Sequence, residues 1–590
     1  MRNTTEPVRR RRRAIAAAGA FVLGASLMTA TAAAAEDDPR VGMPGGYLDA
    51  PVATSGVELL ESIPRQGAFD AAPGNFSYVN SDLAFTGDHA IVGNYNGFQV
   101  YDVSDPAAPT LKSQFVCPGG QGDVSVYGDL LFMSVEEARG RIDCGTTAMP
   151  SVSAERFRGI RIFDISDIDN PVQLPGVQTC RGSHTHTVVT DPDDPNNVYL
   201  YNSGTSSIRS ALELAGCSTG NATSENPTQW RIDVIKVPLA APETASIVSQ
   251  PRIFQNYETG AVNGLQNGPT QPRHPSGGTY SPSPNTNTCH DITAFPEIGL
   301  AAGACQGNGI LLDISDPVNP VRTDAVADVN FAYWHSATFN NDGTKVVFTD
   351  EWGGGTGARC LPDQPAWGAN ALFDIVDGKL QFASYYKLPA PQTAQENCVA
   401  HNGTLIPVPG RDIMVQAWYQ GGMSIFDFTD TANPTEIAFL DRGPLNPNAL
   451  TLSGYWSTYW YNGNILGSEI ARGFDSMALT PTGQLSANEI AAAGEIEWDE
   501  LNAQLQGKYE HAPSLAVAGS YVDQAERAGT LTGKALTEVR KHLAEAGVLV
   551  ADGSSKRAII AQLDNAIRKA GPGADASVIQ ALTELKASFS

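Results

Sequence analysis

Four stretches of this chain repeat one ten-residue phrase: Val100 to Pro109, Ile162 to Pro171, Leu311 to Pro320 and Ile425 to Pro434. Each has Asp at its third and sixth positions, Ser or Thr at its fifth and Pro at its tenth, and weaker copies occur at Ala371 to Asp377 and around Ile235 to Pro238. Within the phrase apolar residues alternate with Asp and Ser, which is the period-two pattern of a half-buried strand, and the Asp-Pro or Asn-Pro ending is turn chemistry that stops it. A further strand follows, as in Thr110 to Phe115 and Thr435 to Leu440. Two more precede it, as in Asp82 to Phe85 with Ala90 to Asn94, or Ser336 to Phe339 with Lys345 to Thr349. Self-similarity of this kind limits the chain to architectures built by repetition.

Four short strands per unit, recurring with variable loops, predict a β-propeller. Six units start near residues 82, 123, 186, 290, 335 and 401. A seventh follows with Ser457 to Trp460, Gly463 to Leu466 and Phe474 to Leu479, but its fourth strand is missing downstream. Gly56 to Ile63 has the character of those outermost strands, so the expectation is an all-β, seven-bladed propeller closed by an N-terminal strand, which removes an open edge. The repeated phrase resembles the LVIVD repeat of secreted bacterial propellers over about residues 56 to 480. That resemblance implies the fold and leaves the activity open, because unrelated functions share such scaffolds.

Arg9 to Arg13 are followed by the apolar run Ala14 to Ala30 and by small residues ending at Ala35, the order of a secretory signal peptide. The expected organisation is a signal peptide over 1–35, a linker over 36–55, the propeller over 56–485 and a helical domain over 486–590. The protein is then secreted, extracellular or at the cell surface, with no transmembrane segment once the signal is cleaved. The chain carries a net charge of −25, and its first 35 residues hold six Arg against one Glu, so the rest is more acidic still. Phosphate binding needs clustered Lys and Arg, which excludes a nucleic-acid partner. All eight Cys (117, 144, 180, 217, 289, 305, 360 and 398) lie in the exported part, and their spacing suggests disulfides between neighbours, 117–144, 180–217, 289–305 and 360–398.

After about residue 485 Ala, Leu, Glu, Gln and Lys dominate, and helices are expected over Ser520 to Ala546, over Lys556 to Ala570 and over Ala576 to Ser588, with a break at Gly571-Pro-Gly573. Its histidines, His511 and His542, are single and expected to be exposed.

Aligning the first strand of each unit by the turn that follows puts His186, His290, His335 and His401 at one repeat position, with Asp82 and Asp123 there in the first two units and Ser457 in the seventh. First strands line the central channel of a propeller, so these residues form a ring of nitrogen and oxygen donors. His184 forms His-x-His with His186, and alternation along a strand sets both on one face. The metal ligands expected are thus His184, His186, His290, His335, His401, Asp82 and Asp123, holding zinc, copper, iron or manganese. A water-filled polar channel is the alternative. Asp102, Asp164, Asp313 and Asp427 recur with the phrase and are read as structural turn acceptors, and Glu136, Glu351 and Glu469, which end second strands, as a solvated edge, with a supporting place behind the metal ligands as the alternative. Gly353 to Gly357 lacks the Lys-Ser/Thr of a phosphate loop and is read as an inter-strand loop. The aromatic run Tyr455 to Tyr461 is read as core packing. The function these features imply is a metal-dependent enzyme acting on a small molecule. The alternative is a non-catalytic scaffold for an extracellular protein or glycan, with the C-terminal domain associating with the cell surface.

Overall fold

The computed structural model describes residues 38–218, 228–265, 286–361 and 366–590; the signal segment lies outside them. The body is a series of antiparallel sheets of the propeller kind. Strands Val124–Tyr127, Leu130–Val135, Gly159–Asp164 and Val172–Gln178 form one four-stranded sheet, and three more follow along the chain from Thr187–Val189 to Lys379–Tyr386. The first sheet, Asn80–Thr86 to Thr110–Val116, gains a fifth strand, Glu500–Asn502, against its innermost member.

The last sheet has nine strands because two innermost strands, Asn402–Ile406 and Tyr455–Tyr461, come close enough to pair in parallel through Asn402–Ser457 and Gly403–Thr458. On one side it carries Ile413–Ala417, Met423–Asp427, Thr435–Arg442 and Val52–Ser55. On the other it carries Asn464–Glu469, Gly473–Leu479 and Val57–Pro64. The N-terminal strand therefore pairs where the repeat arithmetic places it, Val57 opposite Leu479 and Pro64 opposite Gly473. Residues 38–55, expected as linker, also pack onto the body: Arg40 is buried between Asp38 (2.8 Å) and Glu436 (2.7 Å).

The repeated phrase works locally as its residue types suggest. Asp102 accepts from Ser104 N–H, Asp164 from Ser166, Asp313 from Ser315 and Asp427 from Thr429, each closing the turn two residues on. Three third strands open on Gly97, Gly159 and Gly473 at φ 142°, 135° and 132°. A Cβ at each would overlap the carbonyl of Phe115, Val177 or Ile63 on the outermost strand, so only glycine lets these strands meet. The four disulfides join Cys117–Cys144, Cys180–Cys217, Cys289–Cys305 and Cys360–Cys398, the neighbour pairs expected. No helix of the described residues is long and apolar enough to cross a membrane.

The C-terminal region is helical as composition predicts, with one departure. Helices α1 (Ala487–Ala493), α2 (Leu515–Arg527), α3 (Gly533–Ala551), α4 (Lys556–Ala570) and α5 (Ala576–Ser588) are present, the last two at the expected bounds. The stretch expected from Ser520 to Ala546 divides at Gly529, whose φ of 72° ends α2. His511 and His542 are half-buried rather than exposed, and His542 Nδ1 lies 2.8 Å from Gln562 Oε1. Helix α1 docks through Glu489, which is fully buried between Arg411 (2.8 Å) and Arg527 (2.5 Å).

Between α1 and α2 the chain runs as a strap beneath the channel. Asn502 accepts from Val126 N–H (2.7 Å) and donates to its carbonyl (2.8 Å). Ala294 and the strap exchange two backbone bonds of 2.8 Å, through Gln504 O and Gln506 N. Gln506 does the same for Phe339 with its side chain, at 2.6 and 3.0 Å. Inner strands of four sheets thus have free backbone groups satisfied by one segment that lies beyond residue 485. Asn502→Ala leaves a buried N–H and carbonyl of Val126 without partners and is expected to cost about 1–3 kcal/mol, read as a lower urea midpoint with an unchanged α-helical circular dichroism signal.

Candidate metal centre

The histidines sit at the ends of the inner strands farthest from the strap. His290 precedes Asp291–Phe295, His401 precedes Asn402–Ile406, and His335 is the second residue of Trp334–Phe339. Their rings stack in a row that His184 extends: centroids are 4.2 Å apart for His184–His290, 3.8 Å for His290–His335 and 4.2 Å for His335–His401. The ring predicted from sequence is therefore half present.

Each Nδ1 in this row has a partner of its own. His184 Nδ1 lies 2.8 Å from Glu136 Oε2 and His290 Nδ1 2.9 Å from Asp291 Oδ1. His401 Nδ1 meets the carbonyl of Trp456, and His335 Nδ1 stands 3.5 Å from Thr349 Oγ1. A carbonyl or carboxylate acceptor requires Nδ1 to carry the proton, so in the neutral rings of His290 and His401 Nε2 is left with its lone pair. The Nε2 atoms of His184, His335 and His401 are buried, and none has a hydrogen-bond partner among the described residues. Burial, with neighbouring imidazoles, holds His290 and His335 well below the usual histidine range, and burial outweighs the Trp456 carbonyl to hold His401 at about 3. For His184 burial opposes the charge, but the Glu136 carboxylate outweighs it and raises the ring.

Glu351 completes the group and corrects the reading of the second-strand acids. It is 6% exposed, no solvated edge, with Oε2 3.8 Å from His335 Nε2 and Oε1 3.8 Å from His401 Nε2. Its backbone N–H bonds to Tyr333 O, which turns it inward past the strand end. Tyr419, held at φ 52°, donates to Glu351 Oε1 at 2.7 Å. Burial pushes Glu351 up to about 7 even with that bond. Ligand atoms of His290, His335 and Glu351 all lie within 4.8 Å of one another. Glu469, likewise 1% exposed, is used elsewhere, accepting from Ser453 and the 454 and 471 backbone.

Three of the predicted ligands are not in this group. His186 has both ring nitrogens taken, Nε2 by Ser125 Oγ at 2.5 Å and Nδ1 by Ser134 Oγ at 2.8 Å. It parts from His184 because the regular strand begins only at Thr187, so alternation does not reach back to 184. Asp82 accepts from Ser457, Tyr459, Asn402 and Gln504, and Asp123 from the His186 N–H, deeper in the channel. Trp456, from the aromatic run, packs edge-on to His401 at 5.2 Å, and the rest of that strand is buried as core.

Beside the row a cavity of about 300 Å³ opens outward, lined by Gln121, His184, His290, Tyr333, Glu351 and Trp352. Gly353 and Gly354, from the loop predicted between strands, form part of its rim. Donors, an acid of raised pKa and an open approach thus coincide.

The LVIVD repeat family model matches residues 73–116. No curated protein matches the chain. Among solved structures, the chain is similar to a hydrazine synthase of Kuenenia stuttgartiensis (10% identity, 71% of this chain and 99% of that one, TM-score 0.41). It is also similar to the periplasmic gluconolactonase PpgL of Pseudomonas aeruginosa (13% identity, 68% and 100%, TM-score 0.39), and to the N-terminal domain of Nup159 (10% identity, 74% and 99%, TM-score 0.40). At this level of likeness the site rests on its own geometry.

The raised Glu351 carboxyl sets a pH test in protein stripped of metal. Between about 4.5 and about 7 the unfolded chain releases this proton and the folded chain keeps it, so stability falls as pH rises through that window and is level above it. Glu351→Gln keeps an acceptor for Tyr419 without the titration. Its stability relative to the parent is expected to climb across that window by up to about 3 kcal/mol, followed by thermal unfolding; a difference constant with pH refutes the assignment.

Proposed function

We propose that this chain is an exported, seven-bladed propeller that binds one transition metal ion through His184, His290, His335 and His401 with Glu351, and uses it on a small molecule admitted through the cavity beside it. The blade count treats the nine-stranded sheet as two blades fused at their inner strands, the second closed by Val57–Pro64. Four disulfides support an oxidising compartment. The observation that carries the metal reading is the set of buried, unpartnered Nε2 atoms of His184, His335 and His401 beside the Glu351 carboxylate. Leaving such nitrogens without a partner is costly, and a borderline cation such as zinc, copper, iron or manganese satisfies imidazole and carboxylate together.

A metal here would supply Lewis acidity or an activated small molecule. The protein's own residues set orientation. Glu136, Asp291 and the Trp456 carbonyl fix three imidazoles from behind, the arrangement that sets ligand orientation and basicity. Glu351 presents Oε2 toward His335, while the Tyr419 hydroxyl occupies and orients its other oxygen. Tyr333 and Trp352 offer aromatic surface to a substrate at the cavity wall.

Elemental analysis of natively purified protein is expected to give about one transition metal per chain. His335→Ala and His401→Ala should lose it and His186→Ala retain it. Glu136→Gln should weaken binding by roughly 10–100-fold, since it frees His184. Absence of metal, with no binding on addition of zinc or copper, overturns this reading and leaves the non-catalytic scaffold.

A further inference from the structure

A cleft of about 790 Å³ lies on the histidine-bearing face but outside the metal cavity: Pro118 borders the cleft, while Gln121, three residues on, borders the cavity. Its two walls are short loops, each clasped by a buried arginine that spends its guanidinium on backbone carbonyls. Arg65, 4% exposed, donates to Ala71 O (2.8 Å) and Tyr78 O (2.5 Å), at the two ends of the loop that presents Asn75, Phe76 and Ser77. Arg156, 7% exposed, donates to Pro150 O (2.8 Å) and Ser151 O (2.7 Å), where the loop carrying Thr146 and Thr147 ends, and the Cys117–Cys144 disulfide fastens that loop at its start. The cleft is therefore preorganised, which lowers the ordering cost of binding.

What the walls offer is polar and uncharged. The side-chain groups of Ser77, Asn96, Thr146 and Thr147 line the cleft and make no hydrogen bond among the described residues. No Asp or Glu lines it, in a chain of net charge −25. The two arginines that do are already paired, Arg139 with Glu137 (2.5 Å) and Arg156 with Glu213 (2.6 Å). A charged ligand of either sign thus meets no free counter-charge, while a ligand rich in hydroxyls meets both donors and acceptors. A second, independent observation is apolar. Phe76 remains 50% exposed although its loop is pinned, its ring resting T-shaped on Tyr95 at 5.2 Å. With Leu450 it lines an adjoining hollow of about 240 Å³, and Asn75 borders both spaces. A wet aromatic ring beside amides and hydroxyls is a platform for the C–H face of a sugar ring.

We infer that this cleft is a binding site for a neutral glycan, a short run of sugar units that crosses Phe76 from the smaller hollow into the larger one. Phe76 takes a ring face, and the Asn96 amide with the Ser77, Thr146 and Thr147 hydroxyls takes the sugar hydroxyls. The volume is in the range of clefts that enclose ligands of this size. The inference stands on the two arginine-clasped loops and does not require the metal.

Full-length protein is titrated by calorimetry with cellohexaose, xylohexaose, mannohexaose, maltohexaose and chitohexaose. Hexagalacturonate serves as the charged glycan, and reduced, alkylated lysozyme as an unglycosylated protein chain. At least one neutral hexasaccharide is expected to bind, and the other two probes are not. Phe76→Ala and Asn96→Ala should each weaken that binding by about 2- to 10-fold, with the unfolding temperature and the transition metal content of the same samples unchanged. Failure of every neutral hexasaccharide to bind, or binding that both variants leave as in wild type, overturns the inference. Tighter binding of hexagalacturonate or of the lysozyme chain, weakened by the same two substitutions, overturns it in favour of an anionic glycan or a protein partner. Because metal is counted separately, loss of one reading leaves the other standing.

Discussion

Antiparallel pairing of Val57–Pro64 with Gly473–Leu479 joins segments some four hundred residues apart, and the channel exists because of it. An open array of these sheets would leave a bare edge and no common axis. The joint is reinforced where it is made: Asp475 on the penultimate strand takes Arg442 at 3.0 Å and the Tyr455 hydroxyl at 2.5 Å, all three buried. Strand Val52–Ser55 then continues onto Thr435–Arg442, so the same N-terminal segment clamps two neighbouring sets of strands. Closing the ring brings inner strands from distant parts of the chain within side-chain reach, which no local feature of the sequence does.

Ring closure explains proximity; the tautomers explain chemistry. Four imidazoles in van der Waals contact would repel if charged, and burial keeps at least His290, His335 and His401 neutral. Neutral imidazole has one donor and one acceptor nitrogen, and Asp291 and the Trp456 carbonyl consume the donor side of two of them. The acceptor sides are thereby turned toward one another and toward Glu351. A merely structural histidine is satisfied at both nitrogens, as His186 is by two serines. The contrast between His186 and His401, which share a repeat position, is the strongest internal evidence that the row is specialised.

What was legible in the sequence follows the range of the interactions. Turn chemistry and period-two patterning are local, and they located the strands, the closing segment and, through spacing, the disulfide pairs. Repeat register located His290, His335 and His401, because inner strands place equivalent residues at one level. Register failed at His186, whose serine partners come from two strands of the preceding sheet, and the alternation argument failed at His184, which lies ahead of the strand that starts at Thr187. Glu351 was missed for a comparable reason: its burial depends on Tyr333, on the Tyr419 hydroxyl and on the loop from Gly353, contacts that the residue type does not announce. The strap was hidden by its brevity, three residues of strand inside a helical composition, paired with a strand more than four hundred residues earlier.

The strap also gives the channel a direction. With Asn502, Gln504 and Gln506 bonded across the inner strands, the floor is closed by backbone and amide groups, while the histidine end opens into a cavity of about 300 Å³. Solvent and ligands therefore meet the imidazoles before the carboxylates, and the carboxylates sit in the drier, lower-dielectric part. Charge is costliest there, which is why the same residue type behaves so differently along the axis: Asp102 in its exposed turn is held below the ordinary carboxylate range by Ser104, while Asp123 is driven above it. A closed floor beneath an open mouth makes position along the axis, more than residue type, the variable that sets each group's chemistry.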